Sequence, residues 1–329
     1  MDENWKQLLG AFLMGVLLPA MLVRPPASAA IVPGETTPPT APAVQATFPA
    51  DTEGDERWVP VLMDGAVLQL LELESYILGV VLGEMPADFA PEALKAQAVV
   101  ARTMTLRCCN GAAKHPGGAV CTDPDCCQAY CSQEDYLAAG GAVESVDRVR
   151  EAVMSTRNVV LTYEGELIEA TYFACSGGRT EEALAVWGTD VPYLQSVASP
   201  GEERASCYLT TVTFSSQSFR TLLGLQVTGD PRTWLGNVVY TEGGGVATMV
   251  IGGKTFTGVQ LRQLLDLNST VFFMSATSQG VQITVLGHGH RVGMSQYGAD
   301  AMADRGNSYA QILSHYYPGT RIDKIDSLG

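Results

Sequence analysis

The chain has 329 residues, 35 of them acidic and 20 basic, which gives a formal net charge of −15 at pH 7. A surface this acidic, with a pI near 4.6, argues against nucleic acid or an anionic membrane surface as partner. Neither a Walker loop nor a dinucleotide fingerprint occurs in it, which removes the common nucleotide-dependent enzymes.

The first predicted element is Leu8–Val23, uncharged and apolar throughout. It is short of the ~20 residues a spanning helix needs, although Trp5 and Ala27–Val32 extend it at the two interfaces. Residues 1–23 are read as a retained single-pass anchor that leaves the rest of the chain outside the cytoplasm. The competing reading is a cleaved signal peptide, because Ala27-Ser28-Ala29 matches a small-residue cleavage site. Residues 24–57 form a linker that holds seven of the seventeen prolines and shows no apolar period. Extended at about 3.1 Å per residue, it would reach ~100 Å. A folded domain is expected over residues 58–329, opening with a hairpin about Asp64-Gly65.

The stretch from Leu73 to Arg107 predicts two helices separated at Pro86. Ile77, Val80 and Val81 lie seven, four and three residues before Glu84, so its carboxylate falls on the apolar stripe. Pro86 disfavours a helical Met85 and places Glu84 in the last turn, at the negative end of the helix dipole. Dipole and partial burial both raise a carboxyl pKa, as a proton donor requires. The alternative is a buried glutamate satisfied by an arginine. The second helix starts at Pro91, where a missing N–H costs nothing, and its alanines leave a slim surface. Lys95 and Arg102 share one of its faces. Lys95 fits a solvated basic face, and either side chain could hold a substrate group near Glu84.

Further on, helices are expected at Asp147–Ser155, Gln217–Leu223, Val259–Leu267, Ser295–Arg305 and Ser308–Tyr316, the last with a capping box through Gln311. Hairpins are expected over 158–172, 238–250 and 271–286, and strands over Tyr193–Val197 and Cys207–Phe214. Strands and helices do not alternate strictly. The fold class is therefore α+β, with antiparallel sheets around a substrate cleft.

Six of the eight cysteines fall between Cys108 and Cys131. Disulfides are the default for an exported chain. Yet His115, Cys121 and Cys127 place one imidazole and two thiolates in a tight loop, a donor set that suits zinc and leaves one tetrahedral position open. Cys126 and Cys108 are rival ligands, and spacing alone leaves zinc and disulfide both open. The segment ACSGGRTEEALAVW predicts a tight turn at Gly177-Gly178, with Thr180 capping the next helix. Ser176, Arg179, Glu181, Trp187 and Tyr193 supply polar and aromatic groups suited to a sugar. The segment GHGHRVGMSQYG brings His290 to a Gly-rich turn, with Ser295, Gln296 and Tyr297 at a helix N-terminus where donors point outward.

GVVLGEMPADFAPEALKAQAVVART, SGGRTEEALAVWG with VPYLQSV, and GHGHRVGMSQYGADAMADRGNSYAQILSHYYPGT follow the same order as in the SpoIID/LytB family, which the chain resembles from about Trp58 to Thr320. HPGGAVCTDPDCCQAY resembles the zinc-binding version found in clostridial members. The resemblance implies a membrane-anchored peptidoglycan lytic transglycosylase acting in forespore engulfment. Its catalytic glutamate falls on Glu84, and its zinc ligands on His115, Cys121 and Cys127. It also implies denuded glycan strands as substrate and stage II sporulation proteins P and M as partners; a homodimer is open. The alternative function is a non-catalytic wall-binding protein that stimulates an amidase, as LytB-type members do. Three positions depart from the family pattern. His288 stands where an aromatic is usual, Arg291 where a glycine is usual, and Cys175 where a small hydroxyl residue is common.

Overall fold

The computed structural model describes residues 57–327, apart from 64, 66, 112 and 113. The expected anchor and all of the expected linker but Arg57 lie outside the described residues. Among the described residues, no helix is long and apolar enough to cross a membrane.

The chain opens with the expected hairpin, β1 (Trp58–Met63) against β2 (Val67–Glu72). Then comes α1 (Leu73–Glu84), capped by the Glu72 carboxylate and stopped where Met85 turns extended ahead of Pro86. Next is α2 (Pro91–Cys109), on which the molecule is assembled. Ala93, Ala96, Ala98 and Ala101 are fully buried. With no side-chain bulk to hold neighbours off, helices can pack against α2 on several sides.

A loop then carries β3 (Val120–Cys121), which joins β1 in parallel. It is followed by α3 (Gln133–Ala138) and α4 (Val143–Ser155). The latter starts one turn before the predicted Asp147 because Val146 and Val149 are core residues. The hairpin expected over 158–172 contracts to β4 (Val159–Tyr163) and β5 (Glu166–Leu167), and β6 (Tyr172–Phe173) leaves for another sheet. After α5 (Ala183–Trp187), the segment Tyr193–Val197 is not a strand. Its backbone is committed to the Thr180 hydroxyl and amide, so it forms turns. For the same reason Thr180 does not cap α5.

A separate lobe follows. It holds β7 (Leu209–Ser215), α6 (Ser216–Leu223), β8 (Leu235–Tyr240), β9 (Val246–Ile251), β10 (Lys254–Thr257), α7 (Gly258–Leu264), β11 (Val271–Ala276) and β12 (Gly280–Leu286). Its two antiparallel sheets, in the orders β10-β9-β8 and β11-β12-β7, enclose a core of their own around Phe219, Leu261, Phe272 and Ile283. The chain then returns to α2. β13 (Met294–Ser295) pairs in parallel with β6, α8 (Gln296–Asp304) and α9 (Tyr309–Tyr316) pack on α2, and β14 (Arg321–Lys324) closes on β4. The capping box of Ser308 and Gln311 is present at α9. The architecture is α+β with mostly antiparallel sheets, joined by two short parallel pairings.

Candidate active site

Glu84 is the last residue of α1 and is half-buried. Its Oε1 accepts the Ala129 N–H at 2.6 Å, and the Tyr172 hydroxyl contacts the same carboxyl. Burial raises the Glu84 pKa; these two hydrogen bonds pull the other way without cancelling it.

Three distant segments fix this group in place. The Gln296 amide donates to the Glu84 backbone carbonyl at 3.1 Å. Pairing of β6 with β13 brings Tyr172 over the carboxyl. His290 accepts the Val292 N–H on Nδ1, so its proton sits on Nε2, and the ring bonds the Tyr172 backbone carbonyl. Burial lowers the His290 pKa to about 4, so the ring is neutral at ordinary pH. The Tyr172 hydroxyl also faces Gln128 Oε1 at 3.4 Å, and Gln128 in turn donates to Thr105 on α2. A hydroxyl has one proton. It can donate to the Glu84 carboxylate, or donate to Gln128 and accept from the Glu84 acid.

The loop that supplies Ala129 also carries the Cys/His cluster. The ligand atoms of His115, Cys121, Cys126 and Cys127 lie within 4.8 Å of one another. None of the cluster's three cysteines is in a disulfide. Only Gln128 separates Cys127 from Ala129, so whatever orders the cluster also positions the amide on Glu84. The loop docks on α1 where Gly79 and Gly83 remove two side chains. Cys131 donates to the Gly79 carbonyl, and a Cβ on Gly83 would stand 3.0 Å from the Tyr130 nitrogen.

Several predicted ligand contacts prove to be internal. Arg102 is fully buried: it pairs with Glu74 at 2.5 Å and donates to the carbonyls of Val153 and Val159, so it joins α1, α4 and β4 rather than reaching a substrate. Lys95 is committed to Glu92 at 2.7 Å. Glu181 is buried against Arg291, 3.6 Å away. Ser176 is buried too, donating to Glu202 at 2.8 Å, and Ser295 is the N-cap of α8. The Tyr193 hydroxyl accepts the Glu169 N–H and its ring lies on Tyr163. Arg179 stays half-exposed beside Ser196. Tyr297 packs edge-on against Phe89, next to the helix break after Glu84. Trp187, at the surface, leans on His290 with ring centroids 5.3 Å apart.

Tyr172, Gln128 and Glu202 were missed in the sequence. Glu202 is fully buried, and its carboxylate collects the Ser176 and Gly177 N–H groups and the hydroxyls of Ser176 and Ser199. It holds the Gly177-Gly178 turn in shape. The only signal for Tyr172 was its place two residues before the ACSGG turn.

Fold and site together define a class: an α+β protein in which a helix-terminal carboxyl of raised pKa stands beside a Cys/His loop. The family model described as SpoIID, Stage II sporulation protein, matches residues 64–163, which include Glu84 and the whole cluster. The chain is 41% identical over 262 residues to Stage II sporulation protein D of Bacillus amyloliquefaciens, covering 78% of this chain and 76% of that protein. Its identity to the Bacillus subtilis protein of the same name is 40% over the same coverage. A further relative, the Amidase enhancer of Bacillus subtilis, is 28% identical over 74% of this chain but only 40% of its own length. The chain belongs to the SpoIID family of stage II sporulation proteins.

Proposed function

We propose that the protein is a peptidoglycan lytic transglycosylase of sporulation, with Glu84 as its one catalytic acid and base. The observation that carries this is the Glu84 carboxyl itself, raised in pKa by burial and gripped by the Ala129 amide and the Tyr172 hydroxyl. The acid protonates the glycosidic oxygen between N-acetylmuramic acid and N-acetylglucosamine, and the C1–O bond breaks. The carboxylate left behind takes the proton of the muramyl 6-hydroxyl as that oxygen attacks C1, which yields a 1,6-anhydro end and restores the acid. Tyr172 follows the change, donating to the carboxylate and releasing it to Gln128 when the proton returns. A hydrolase would need a second carboxylate about 5–9.5 Å away to serve water or the sugar. Glu181 is closed in a buried ion pair, while Asp88 and Asp190 lie on the surface.

Zinc belongs to the proposal, with His115, Cys121 and Cys127 as ligands by family resemblance. The convergence of their donor atoms fits it. Bound there, the metal supplies order to the loop that presents the Ala129 amide. Denuded strands as substrate, an extracytoplasmic site on an N-terminal anchor, and stage II sporulation proteins P and M as partners rest on the same resemblance.

A second reading, a non-catalytic wall-binding protein that stimulates an amidase, draws on the similarity to the Amidase enhancer. Mass spectrometry of products from purified glycan strands separates the two. Anhydro-muramyl ends are expected from the native protein, with Glu84→Gln losing roughly 10²–10⁴-fold of the rate while strand binding survives. Absence of any glycan product, or full activity in Glu84→Gln, would end the assignment.

A further inference from the structure

We infer that Cys126 is the fourth ligand of the Cys/His cluster, so that the metal is enclosed by three thiolates and one imidazole with no position left for water or substrate. This rests on the zinc reading above and changes its role. Cys126 Sγ lies 3.4 Å from His115 Nε2 and 4.0 Å from Cys127 Sγ. Metal–sulfur bonds of about 2.3 Å and metal–nitrogen bonds of about 2.0–2.1 Å, at tetrahedral angles, put sulfur atoms about 3.8 Å apart and sulfur about 3.6 Å from nitrogen. The two observed distances are therefore edges of such a tetrahedron to within about 0.2 Å.

The backbone shows how adjacent cysteines meet one centre. The amides of Cys126 and Cys127 both donate to the Asp123 carbonyl, while the Asp123 carboxylate accepts the Asp125 N–H. This turn curls the two cysteines toward Cys121, which pairing with Leu62 holds in β3. Lys114 donates to the Cys126 carbonyl, which brings its ammonium beside the cluster. Three thiolates and a dication leave one negative charge, which that ammonium offsets. Lewis-acid work on a substrate oxygen needs an open site, so the enclosed metal is structural. Its effect reaches Glu84 through Gln128 and the Ala129 amide.

The test uses the full chain purified without chelators, in native form and as Cys126→Ala. Cys108→Ala serves as control, since that cysteine lies outside the cluster. Zinc-edge X-ray absorption of the native protein is expected to show three sulfur ligands and one nitrogen. After exchange with cobalt(II), thiolate charge-transfer intensity should fall by about one third in Cys126→Ala and stay unchanged in Cys108→Ala. Competition with a chromophoric chelator should show affinity at least ~10-fold weaker in Cys126→Ala. Stoichiometric zinc with two sulfur ligands, or a Cys126→Ala protein with the native spectrum, would overturn the inference and leave the zinc reading intact. Native protein without zinc, its cluster cysteines oxidised, would overturn both. If Cys126→Ala does not fold, the absorption edge of the native protein decides alone.

Discussion

In the proposed reaction Glu84 is both acid and base and Tyr172 is its hydrogen-bond partner, a pairing with a pH signature. The acid is competent only below its pKa, so kcat/KM on glycan strands should fall as pH rises through the raised Glu84 value. The Tyr172 hydroxyl, as donor, favours the carboxylate and holds that pKa down. In Tyr172→Phe the alkaline limb should therefore move to higher pH. Plateau kcat should drop on the order of tenfold, the worth of one well-placed hydrogen bond to a charged group. A limb that moves down, or stays fixed, would separate Tyr172 from Glu84. At this scale the place of Glu84 in the last turn of α1 was legible, because Pro86 stops the helix after it. Arg102 was misread because spacing locates a helix face without saying what covers it. Every face of α2 is buried in its middle turns, and the partner Glu74 sits 28 residues back in sequence, in the first turn of α1.

Helices and hairpins were recognisable from period and capping, but the 110–131 loop was not, because its shape comes from side-chain convergence and from contact with α1. Gly79 and Gly83 stand four apart on the α1 face that receives this loop. The structure gives each a purpose. A Cβ at Gly79 would fall 2.3 Å from the Tyr130 ring, and one at Gly83 would meet the backbone of Ala129, Tyr130 and Cys131 at 3.0–3.1 Å. A ring can rotate away, whereas this backbone holds the Glu84 carboxyl. On propensity alone, Gly83→Ala in an isolated helix should stabilise by about 1 kcal/mol. Here it should instead cost about 1–3 kcal/mol of overpacking and lower kcat more than it changes KM. A raised melting temperature with native kcat would show that the loop does not rest on α1 as described.

Across the whole molecule, the β7–β12 lobe was visible as a run of strand pairs, yet nothing in the sequence said what fastens it beside the site. Arg291 does, at the position where the resemblance led one to expect a glycine. It keeps the glycine's left-handed backbone, φ 69°, a conformation that L side chains seldom adopt. Its guanidinium donates to the carbonyls of Ser176, Arg179 and Gly243, and faces Glu181 at 3.6 Å. Glu181 in turn accepts the Thr241 hydroxyl at 2.5 Å and the Gly243 N–H at 3.3 Å. The pair thus clasps the Gly177-Gly178 turn to the connection between β8 and β9. Both side chains are 1% exposed, so neither charge can turn to water when the other is removed. Arg291→Met should then cost about 3–5 kcal/mol, because it strands a buried carboxylate, and Glu181→Leu should cost a similar amount by stranding the guanidinium. The double substitution removes both charges and should be less damaging than the sum of the singles by at least about 1–2 kcal/mol. Urea unfolding of the four proteins measures this coupling directly. Single costs below about 1 kcal/mol, or strict additivity, would mean that the clasp behaves as a solvated surface pair and that the lobe is held elsewhere.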